Sequence, residues 1–573
     1  MLQILPLLFG SLLGSQAAPT SSDVKDRLQL VNPKVDEICA ACGVAGASIG
    51  VINHGKLIHT YNHGFSNVQK QQPITSDTVF CTGSLTKSFV AAGLGKLVYE
   101  KFLSWDTPVR DIFPEFRQDN KKVEEMLTVS DILSHRSGLS GIGDMSLAFQ
   151  GDGDMLFHKD RLFSLFKTFP TLTPFRSGWD YFVWGYSLAG EVIEKLSGKR
   201  LGDFLSDSFF KPLNLQSTTF KPDELEPGQL AEPYAGLSNG DCFHLPKRQV
   251  FQDTFFEASG GLYSSLNDMM SWSNTMLQAI QDESYPHDCI IREVQSIISN
   301  HIAIENPSLR ERSYGYGWLR TQLPGVIGLI GDNSDLWDIK DSPVLGTKDQ
   351  PLLMLYHQGS TVGYYSFIAL FPDTNSAVVV LTNSIGISDA ADWISRAVIQ
   401  ALFELKDGQD YVALAKEANR RTIAKYELLS LEISAFRESC TQAPPTDLNP
   451  YFGTYTNDNK QFSIDIIPHS KFTDRLALRF QGLEDQTYEL RYYCDNVFEW
   501  SLTHDESKKR GRYNNAELST YLFKFNVDDR GMSLSWANDP VFPERELVFI
   551  RDNSHFVKED VTQSQKGFNP GEL

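Results

Sequence analysis

The sequence predicts an α+β fold in which an antiparallel sheet packs against helices, followed by a separate all-β domain. Two strand-like runs, residues 47–53 and 56–61, flank a turn sequence, and strand character returns only after a mostly helical region at residues 77–280. We expect the early and late strands to form one sheet, with the helical region inserted between them. The late strands are predicted at residues 352–356, 366–371 and 377–381.

A helix is predicted directly after the late strands, where it would close one face of the sheet. Ser388 stands at its N-cap position, apolar residues recur at helical spacing, and Gly408 follows the last of them. The apolar face consists of Ile394, Val398, Ala401 and Leu405.

Beyond this helix the periodicity of the chain changes. A partly helical connector at residues 407–447 ends in the stiff linker sequence APPT. Residues 448–552 are then predicted to form a barrel-like all-β domain, and residues 553–573 a flexible tail. Apolar and polar residues alternate with a period of two at residues 462–466, 476–480 and 521–525.

The composition is that of a soluble globular protein with two or three domains. The chain has 573 residues, of which 41% are hydrophobic, and its formal net charge at pH 7 is -20. The acidic excess and the lack of a basic run argue against nucleic acid or an anionic membrane as a partner. No stretch of the mature sequence is long and apolar enough to predict a membrane crossing.

The first 17 residues are typical of a secretory signal peptide. An apolar run at residues 5–13 precedes Ser15, Gln16 and Ala17, which place small residues at the two positions that a signal peptidase reads. We expect cleavage after Ala17 and a secreted protein. The first folded domain is then predicted at residues 18–406.

Seven cysteines fit up to three disulfide bridges, with one thiol left over, in an oxidising compartment. The sequence does not determine their pairing. The CxxC string at residues 39–42 has no second CxxC to complete a zinc site, and His54, His59 and His63 do not converge when they alternate along strands. No metal and no organic cofactor are therefore predicted.

The string SLTK at residues 84–87 points to covalent catalysis. A spacing of three on a helix places the Ser84 hydroxyl and the Lys87 amine on one face, where the amine can take the hydroxyl proton. The helix start and the apolar neighbours favour nucleophilic attack. Since Ser22 and Lys25 match the same pattern, the alternative is an ordinary helix start with a solvated lysine.

Four further strings follow in a fixed order: LSHRSGL at 133–139, GYSLAGEVI at 185–193, SGGLYSS at 259–265 and HQGS at 357–360. Together with SLTK they resemble the motifs of the serine β-lactamase and penicillin-binding protein family, in its class C and esterase branch and its fungal secreted members. The resemblance covers residues 44–405. It implies the β-lactamase-like transpeptidase fold, an antiparallel sheet flanked by helices plus a helical subdomain. The C-terminal β domain is similar to the lipocalin-like domain that some members carry.

This resemblance implies Ser84 as the nucleophile, Lys87 as its base partner, and a tyrosine that relays the proton to the leaving group. Spacing back from the GY pair of the second string identifies that tyrosine as Tyr181. Positive charges around a buried phenol can lower its pKa far enough for the phenolate to act as a base. The alternative for Tyr181 is a packed aromatic side chain among its aromatic neighbours.

The HQGS string implies a substrate-binding strand with His357, Gly359 and Ser360. The resemblance assigns the amide of Ser360, with that of Ser84, to an oxyanion hole. His357 replaces the lysine of classical β-lactamases and is mostly neutral at pH 7, which disfavours a β-lactam carboxylate. The alternative for His357 is a histidine at a strand end that faces solvent.

The chain departs from the family's Tyr-x-Asn pattern, because Val183 stands where the family has asparagine. That amide ordinarily hydrogen-bonds the lysine and the amide of the substrate, so its loss puts amide substrates in more doubt than esters. Two Tyr-x-Asn strings do occur, at residues 455–457 and 513–515, but both lie in the C-terminal β domain. We interpret them as chance matches.

These observations predict a secreted serine hydrolase that cleaves an ester or a peptide-like amide through an acyl-Ser84 intermediate. The first alternative is an acyltransferase acting on a natural-product acceptor, although such relatives lack the appended β domain and usually a signal peptide. The second is a non-catalytic binding protein that has kept the fold, for which Val183 is the only sequence support. The expected partner is a small-molecule or peptide-like substrate. The oligomeric state and the role of the insert at residues 321–349 stay open.

Overall fold

The computed structural model describes residues 21–141, 156–246, 251–281, 289–304, 310–457, 461–528, 531–539 and 544–552. The predicted signal peptide and the predicted C-terminal tail lie outside these residues. Among the helices of the described part, none combines the length and the apolar composition that a membrane crossing needs.

The strands of the predicted antiparallel sheet lie in the first part of the chain. In chain order the described strands there are β1 (Gly46–Asn53), β2 (Lys56–Asn67), β3 (Gln72–Pro73), β4 (Val79–Cys81), β5 (Tyr234–Gly236), β6 (Cys242–His244), β7 (Tyr263–Ser265), β8 (Ile302–Ala303), β9 (Arg312–Tyr314), β10 (Leu319–Gln322), β11 (Gly325–Val326), β12 (Val344–Leu345), β13 (Leu353–Thr361), β14 (Tyr364–Phe371), β15 (Ser376–Thr382) and β16 (Ser384–Ile385). One sheet has the order β3-β2-β1-β15-β14-β13-β10-β9-β8. Because β1 pairs antiparallel with β15, the early and late strands share this sheet, which confirms the prediction.

Helices pack on both faces of the sheet. Alternate residues of β15 face opposite sides, so Val378 and Val380 join one hydrophobic cluster, whereas Val379 and Leu381 join the other. The first cluster also contains the N-terminal helices and the helices after the sheet, and the second contains the inserted helical region. The described helices before the barrel are Ser21–Gln29, Asn32–Cys42, Thr86–Tyr99, Val109–Ile112, Lys121–Met126, Val129–Leu133, Leu162–Thr168, Val183–Ser197, Leu201–Leu205, Glu257–Gly260, Leu266–Gln281, Val294–Ile298, Ala390–Phe403 and Tyr411–Ser439.

The helix after the sheet has its N-cap one residue later than predicted. Asp389 is the cap, since its side chain accepts a hydrogen bond from the amide of Asp392 at 3.1 Å. Ser388 instead donates to Asn419 Oδ1 at 2.6 Å, a contact with the long helix that follows. The prediction missed this because Ser and Asp are equally good N-cap residues, and only the tertiary contact of Ser388 decides between them.

The C-terminal part forms a closed barrel of eight antiparallel strands, which confirms the predicted barrel-like domain. Each strand pairs with the next along the chain, and the last pairs with the first, so the barrel has no free edge. The strands are β17 (Gly453–Asn457), β18 (Ser463–Pro468), β19 (Leu476–Phe480), β20 (Thr487–Cys494), β21 (Val497–Glu499), β22 (Leu522–Asp528), β23 (Gly531–Trp536) and β24 (Leu547–Arg551), and a helix, His504–Lys509, lies between β21 and β22.

One disulfide bridge, between Cys440 and Cys494, joins the end of the long helix Tyr411–Ser439 to the barrel strand β20. The other five cysteines are free, so the predicted maximum of three bridges is not reached. Cys39 and Cys42 of the CxxC string are both buried, and burial raises the pKa of both thiols. They therefore act as small apolar core side chains.

The barrel packs directly against the first part of the chain. Arg161 Nη1 donates to the carbonyl of Gln461 at 2.7 Å, and the amide of Ser238 donates to Asp505 Oδ1 at 2.8 Å. A single hydrophobic cluster also runs from the inserted helical region into the barrel interior. The barrel is thus positioned by both polar and apolar contacts.

Asp131 anchors the segment that carries the LSHRSGL string. It begins the helix Val129–Leu133 through a capping box with Thr128, and it accepts hydrogen bonds from Arg136 Nε and Arg176 Nη2, each at 2.7 Å. Burial alone would raise the pKa of this carboxyl, but the two guanidinium groups and Thr128 lower it below its ordinary value.

We expect Asp131→Asn to lower the free energy of unfolding at pH 7 by about 3 kcal/mol, because it leaves two guanidinium groups without their anion. Since the pKa of this carboxyl is lower in the folded than in the unfolded protein, the contribution is present above the unfolded value of about 4 and is lost as the pH falls through the folded value. Denaturant unfolding at pH 7 and at acidic pH measures it. Asp160→Asn removes an exposed carboxyl and is the control. A loss under about 0.5 kcal/mol at pH 7 would contradict the account.

Candidate active site

Ser84 lies in a single tight turn between strand β4 and the helix Thr86–Tyr99. The preceding Gly83 has a φ of 53°, in the left-handed region. A Cβ atom on Gly83 would lie 2.7 Å from the amide nitrogen of Ser360. Glycine is therefore required both by the backbone conformation and by the close approach of strand β13.

Lys87 is fully buried next to Ser84. Its Nζ donates hydrogen bonds to Ser84 Oγ at 2.9 Å and to the carbonyl of Ser259 at 2.7 Å. Burial lowers the pKa of Lys87 well below its ordinary value. The alternative of a solvated lysine at an ordinary helix start is therefore wrong.

Tyr181 is the second side chain that contacts Ser84. Its hydroxyl donates to Ser84 Oγ at 2.9 Å, and Lys87 Nζ lies 5.1 Å from its ring centroid. The expectation that positive charge lowers the pKa of this phenol is wrong. Burial raises the pKa of Tyr181 above its ordinary value, and the hydrogen bond with Ser84 lowers it by less. Tyr181 is therefore a neutral proton donor.

His357 is fully buried, so the alternative of a solvent-facing histidine is wrong. Its Nε2 lies 2.9 Å from the hydroxyl of Tyr314, and its Nδ1 lies 2.6 Å from the carbonyl of Gln358. Burial, followed by the nearby Lys87, lowers the pKa of His357 to about 3. The imidazole is therefore neutral, with the Nδ1 proton donated to the carbonyl and Nε2 accepting from Tyr314.

Strand β13 passes within contact distance of the nucleophile turn. A Cβ atom on Gly359 would lie 2.2 Å from the carbonyl oxygen of Thr82 and 3.1 Å from the amide nitrogen of Ser84. Only glycine permits this approach. It brings the backbone amides of Ser84 and Ser360, the two predicted oxyanion donors, to neighbouring positions.

His135 and neighbouring aromatic rings pack around Tyr181. The sequence alone assigns no role to His135. The ring centroid of His135 lies 4.6 Å from that of Tyr181 and 4.7 Å from that of Tyr314. The amide of Phe182 donates to His135 Nδ1 at 3.1 Å. His135 belongs to the LSHRSGL string, so the string was a signal for this residue. Burial, followed by Lys87 and His357, lowers the pKa of His135, which leaves this ring neutral as well.

A tyrosine of the barrel part also reaches the site. Burial, followed by the charge of Asp332, raises the pKa of Tyr513, and a side-chain hydrogen bond with Ser360 opposes the rise. The neighbouring Asn514 donates from Nδ2 to Asp332 Oδ2 at 3.3 Å. Tyr513 and Asn514 are the first two residues of the string at 513–515, one of the two Tyr-x-Asn strings interpreted above as chance matches. This string lies against the candidate active site, although it does not replace the missing family asparagine.

Asp180 is a further residue that sequence reasoning missed. Burial, followed by the charge of Asp539 in the barrel part, raises the pKa of Asp180 to about 6. Its backbone amide donates to the carbonyl of His135 at 3.0 Å. A carboxyl with a raised pKa therefore stands directly before Tyr181 in the chain.

The sheet flanked by helices, with a serine, a buried lysine and a tyrosine hydroxyl at one point, defines the class of β-lactamase-like serine proteins. A family model described as Beta-lactamase matches residues 31–401. The chain belongs to this family, which is of the serine hydrolase type.

The most similar curated relatives include a hydrolase and a penicillin-binding protein. The unguisins hydrolase of Aspergillus campestris is 24% identical over 374 residues, which cover 63% of this chain and 62% of that protein. Penicillin-binding protein 4 of Amycolatopsis lactamdurans is 24% identical over 345 residues, or 59% of this chain and 81% of that protein. The chain therefore matches less than two thirds of the length of the first of these relatives.

A solved structure shares the overall fold. The octameric penicillin-binding protein homologue from Pyrococcus abyssi superposes with a TM-score of 0.54 and 19% identity, covering 92% of this chain and all of that one. At this identity the likeness concerns the fold alone.

We expect the rate at which a fluorophosphonate labels Ser84 to rise with pH through a single limb, because only the neutral amine of Lys87 can accept the serine proton. Since burial lowers the pKa of Lys87, the midpoint of this limb lies well below 10.5, the ordinary lysine value, and the rate is constant above it. Labelling rates measured by intact mass over a pH series test this.

Lys508 supplies the matched control for this titration. It is also fully buried, and burial lowers the pKa of its amine to about 8. Lys508→Met should leave the limb in place, whereas Lys87→Met should remove it together with most of the labelling. A limb that disappears with Lys508→Met, or persists with Lys87→Met, would contradict the role of Lys87.

Proposed function

We propose that the protein is an exported serine hydrolase that cleaves an ester or a peptide-like amide through an acyl-enzyme on Ser84. One observation carries the proposal: Ser84 Oγ receives hydrogen bonds from Lys87 Nζ and from the Tyr181 hydroxyl, both at 2.9 Å. A base and an acid thus converge on one oxygen. This arrangement is what nucleophilic catalysis with proton transfer to a leaving group needs.

Acylation follows from these contacts. The neutral amine of Lys87 takes the proton of Ser84 as Oγ bonds to the substrate carbonyl carbon. The negative charge that develops on the carbonyl oxygen is stabilised by the amides of Ser84 and Ser360. Tyr181 then donates its proton to the leaving oxygen or nitrogen as the bond to it breaks, and the Lys87 ammonium returns a proton to Tyr181.

Deacylation uses the same groups with water as the nucleophile. Water transfers a proton toward the neutral amine of Lys87 as its oxygen bonds to the acyl carbon. The bond between Ser84 Oγ and that carbon breaks, and Oγ regains its proton. The cycle ends with a carboxylic acid product and the starting protonation state, so it needs no other reactant.

The substrate class follows from the charges that the site lacks. His357 is neutral where classical β-lactamases have a lysine, so the strand offers no cation to a β-lactam carboxylate. Val183 is 6% exposed and packs in the hydrophobic cluster, so it offers no amide to the substrate. Both features support neutral substrates and favour esters over amides.

Two further observations support hydrolysis by an exported protein. The relative from Aspergillus campestris is named as a hydrolase, which favours water over another acceptor. The apolar run at residues 5–13 supports export. The barrel, which the resemblance likens to a lipocalin-like domain, supplies Tyr513 to the wall of the site.

We expect Ser84→Ala to abolish ester hydrolysis, because Ser84 is the only hydroxyl among the described residues that accepts hydrogen bonds from both Lys87 and Tyr181. Tyr181→Phe should lower kcat/KM for an alkyl ester by about 100-fold or more. It should lower that for the nitrophenyl ester of the same acid much less, because nitrophenolate leaves without a proton. Steady-state kinetics with this pair of esters measures both effects.

Tyr455→Phe is the control, because it removes a hydroxyl in the barrel interior that donates to the carbonyl of Tyr451. Tyr455→Phe should leave kcat/KM unchanged for both esters. Ester hydrolysis by Ser84→Ala at the wild-type rate would contradict the acyl-enzyme proposal. If Tyr181→Phe lowers kcat/KM equally for both esters, Tyr181 is not the acid that protonates the leaving group. The assignment of Ser84 as the nucleophile would not be affected.

A further inference from the structure

A cavity of about 620 Å³ has Trp179, two residues before Tyr181 in the chain, in its wall. Its walls come from the edge strand β8, from strand β11 and the loop after it, and from the helix Ala390–Phe403. The insert at residues 321–349, whose role the sequence leaves open, therefore forms much of it. Its apolar lining includes Trp179, Ile302, Ile304, Val326, Trp337 and Trp393.

Trp179 is the wall that the cavity shares with the catalytic groups. Its ring centroid lies 6.2 Å from that of Tyr181 and 6.1 Å from that of Tyr314. Tyr181 is hydrogen-bonded to Ser84, and Tyr314 is hydrogen-bonded to His357. One aromatic ring thus separates the cavity from the acid and from the substrate-binding strand.

Arg396, the arginine in the lining of the cavity, is already paired. Arg396 donates from Nε to Asp392 at 3.1 Å and from Nη2 to the carbonyl of Ile327 at 2.7 Å. Asn333 donates to Asp392 Oδ2 at 2.9 Å and accepts from the amide of Asp389 at 3.0 Å. Arg396 is therefore committed to holding the loop against the helix and is not a receptor for an anion.

The rest of the lining combines aromatic and apolar side chains with the carboxyl of Asp335 and the hydroxyls of Ser177, Ser334 and Ser342. Trp337 and Trp393 pack edge to face at 5.6 Å. Trp179 and Trp393 each have a buried indole N–H without an acceptor among the described residues. A ligand with a large aromatic or branched apolar group suits such a lining, and a volume of this size lies within the usual range for small-molecule sites.

We propose that this cavity binds the leaving group of the substrate and selects a large aromatic or branched apolar one. The inference rests on the proposed function, because it takes Tyr181 as the acid that protonates the leaving group. The ring of Trp179 packs 6.2 Å from that of Tyr181, so the group that Tyr181 protonates is the part of the substrate next to this wall of the cavity. The acyl part is left to the remainder of the cleft.

The test compares the butyrate esters of ethanol and of 2-naphthylmethanol, which share an acyl group and have alcohols of similar acidity. For the wild type we expect kcat/KM for the naphthylmethyl ester to exceed that for the ethyl ester by about tenfold or more. Ala303→Trp fills the cavity from an exposed position on the edge strand, and Trp337→Ala removes one aromatic wall. Both variants should bring the ratio close to unity. The kcat/KM for the ethyl ester and the rate of fluorophosphonate labelling should stay as in the wild type.

Ala435→Trp, at an exposed position of the helix Tyr411–Ser439, is the matched control and should leave the ratio as in the wild type. A wild-type ratio near unity, or a high ratio that survives both cavity variants, would overturn the cavity's role and leave the hydrolase intact. Selectivity that follows the acyl group instead of the alcohol would overturn its assignment to the leaving group. No turnover of either ester and no labelling of Ser84 would overturn the proposed function and this inference together.

Discussion

The burial of the Lys87 amine is the constraint on which the rest of the site depends. An ammonium in this position would need a nearby anion, but its hydrogen-bond partners among the described residues are the hydroxyl of Ser84 and the carbonyl of Ser259. The neutral amine is therefore the stable form, and it is also the form that accepts a proton. Packing of the core thus sets the chemistry: the same loss of water keeps His135 and His357 neutral and Tyr181 protonated.

The barrel takes part in this exclusion of water. It shares a hydrophobic cluster with the inserted helical region, and Tyr513 extends from it to Ser360 on the substrate-binding strand. Asp539, also of the barrel part, influences the carboxyl of Asp180 next to Tyr181. The cleft around Ser84 is therefore built by both parts of the chain, which gives the appended barrel a direct influence on what the site can bind.

Local features of the site could be predicted from the sequence, because Ser84 and Lys87 lie within one helical turn and their spacing alone sets their geometry. The strands could be predicted from their alternation, and Tyr181 from a motif. Contacts between distant parts of the chain could not be predicted. Examples are the hydrogen bond of Ser388 with a neighbouring helix and the contact of Tyr513 with the site. The direction of the pKa shift of Tyr181 was missed for the same reason, since it depends on how completely packing removes water.

The central claim is that Ser84 carries the acyl group during turnover. The most direct measurement is peptide mapping by mass spectrometry after the wild-type protein is mixed briefly with a nitrophenyl butyrate and quenched in acid. We expect one butyryl group per chain, on the peptide that contains Ser84. Turnover with the butyryl group on another residue, or with no covalent adduct under conditions that trap the intermediate, would contradict it.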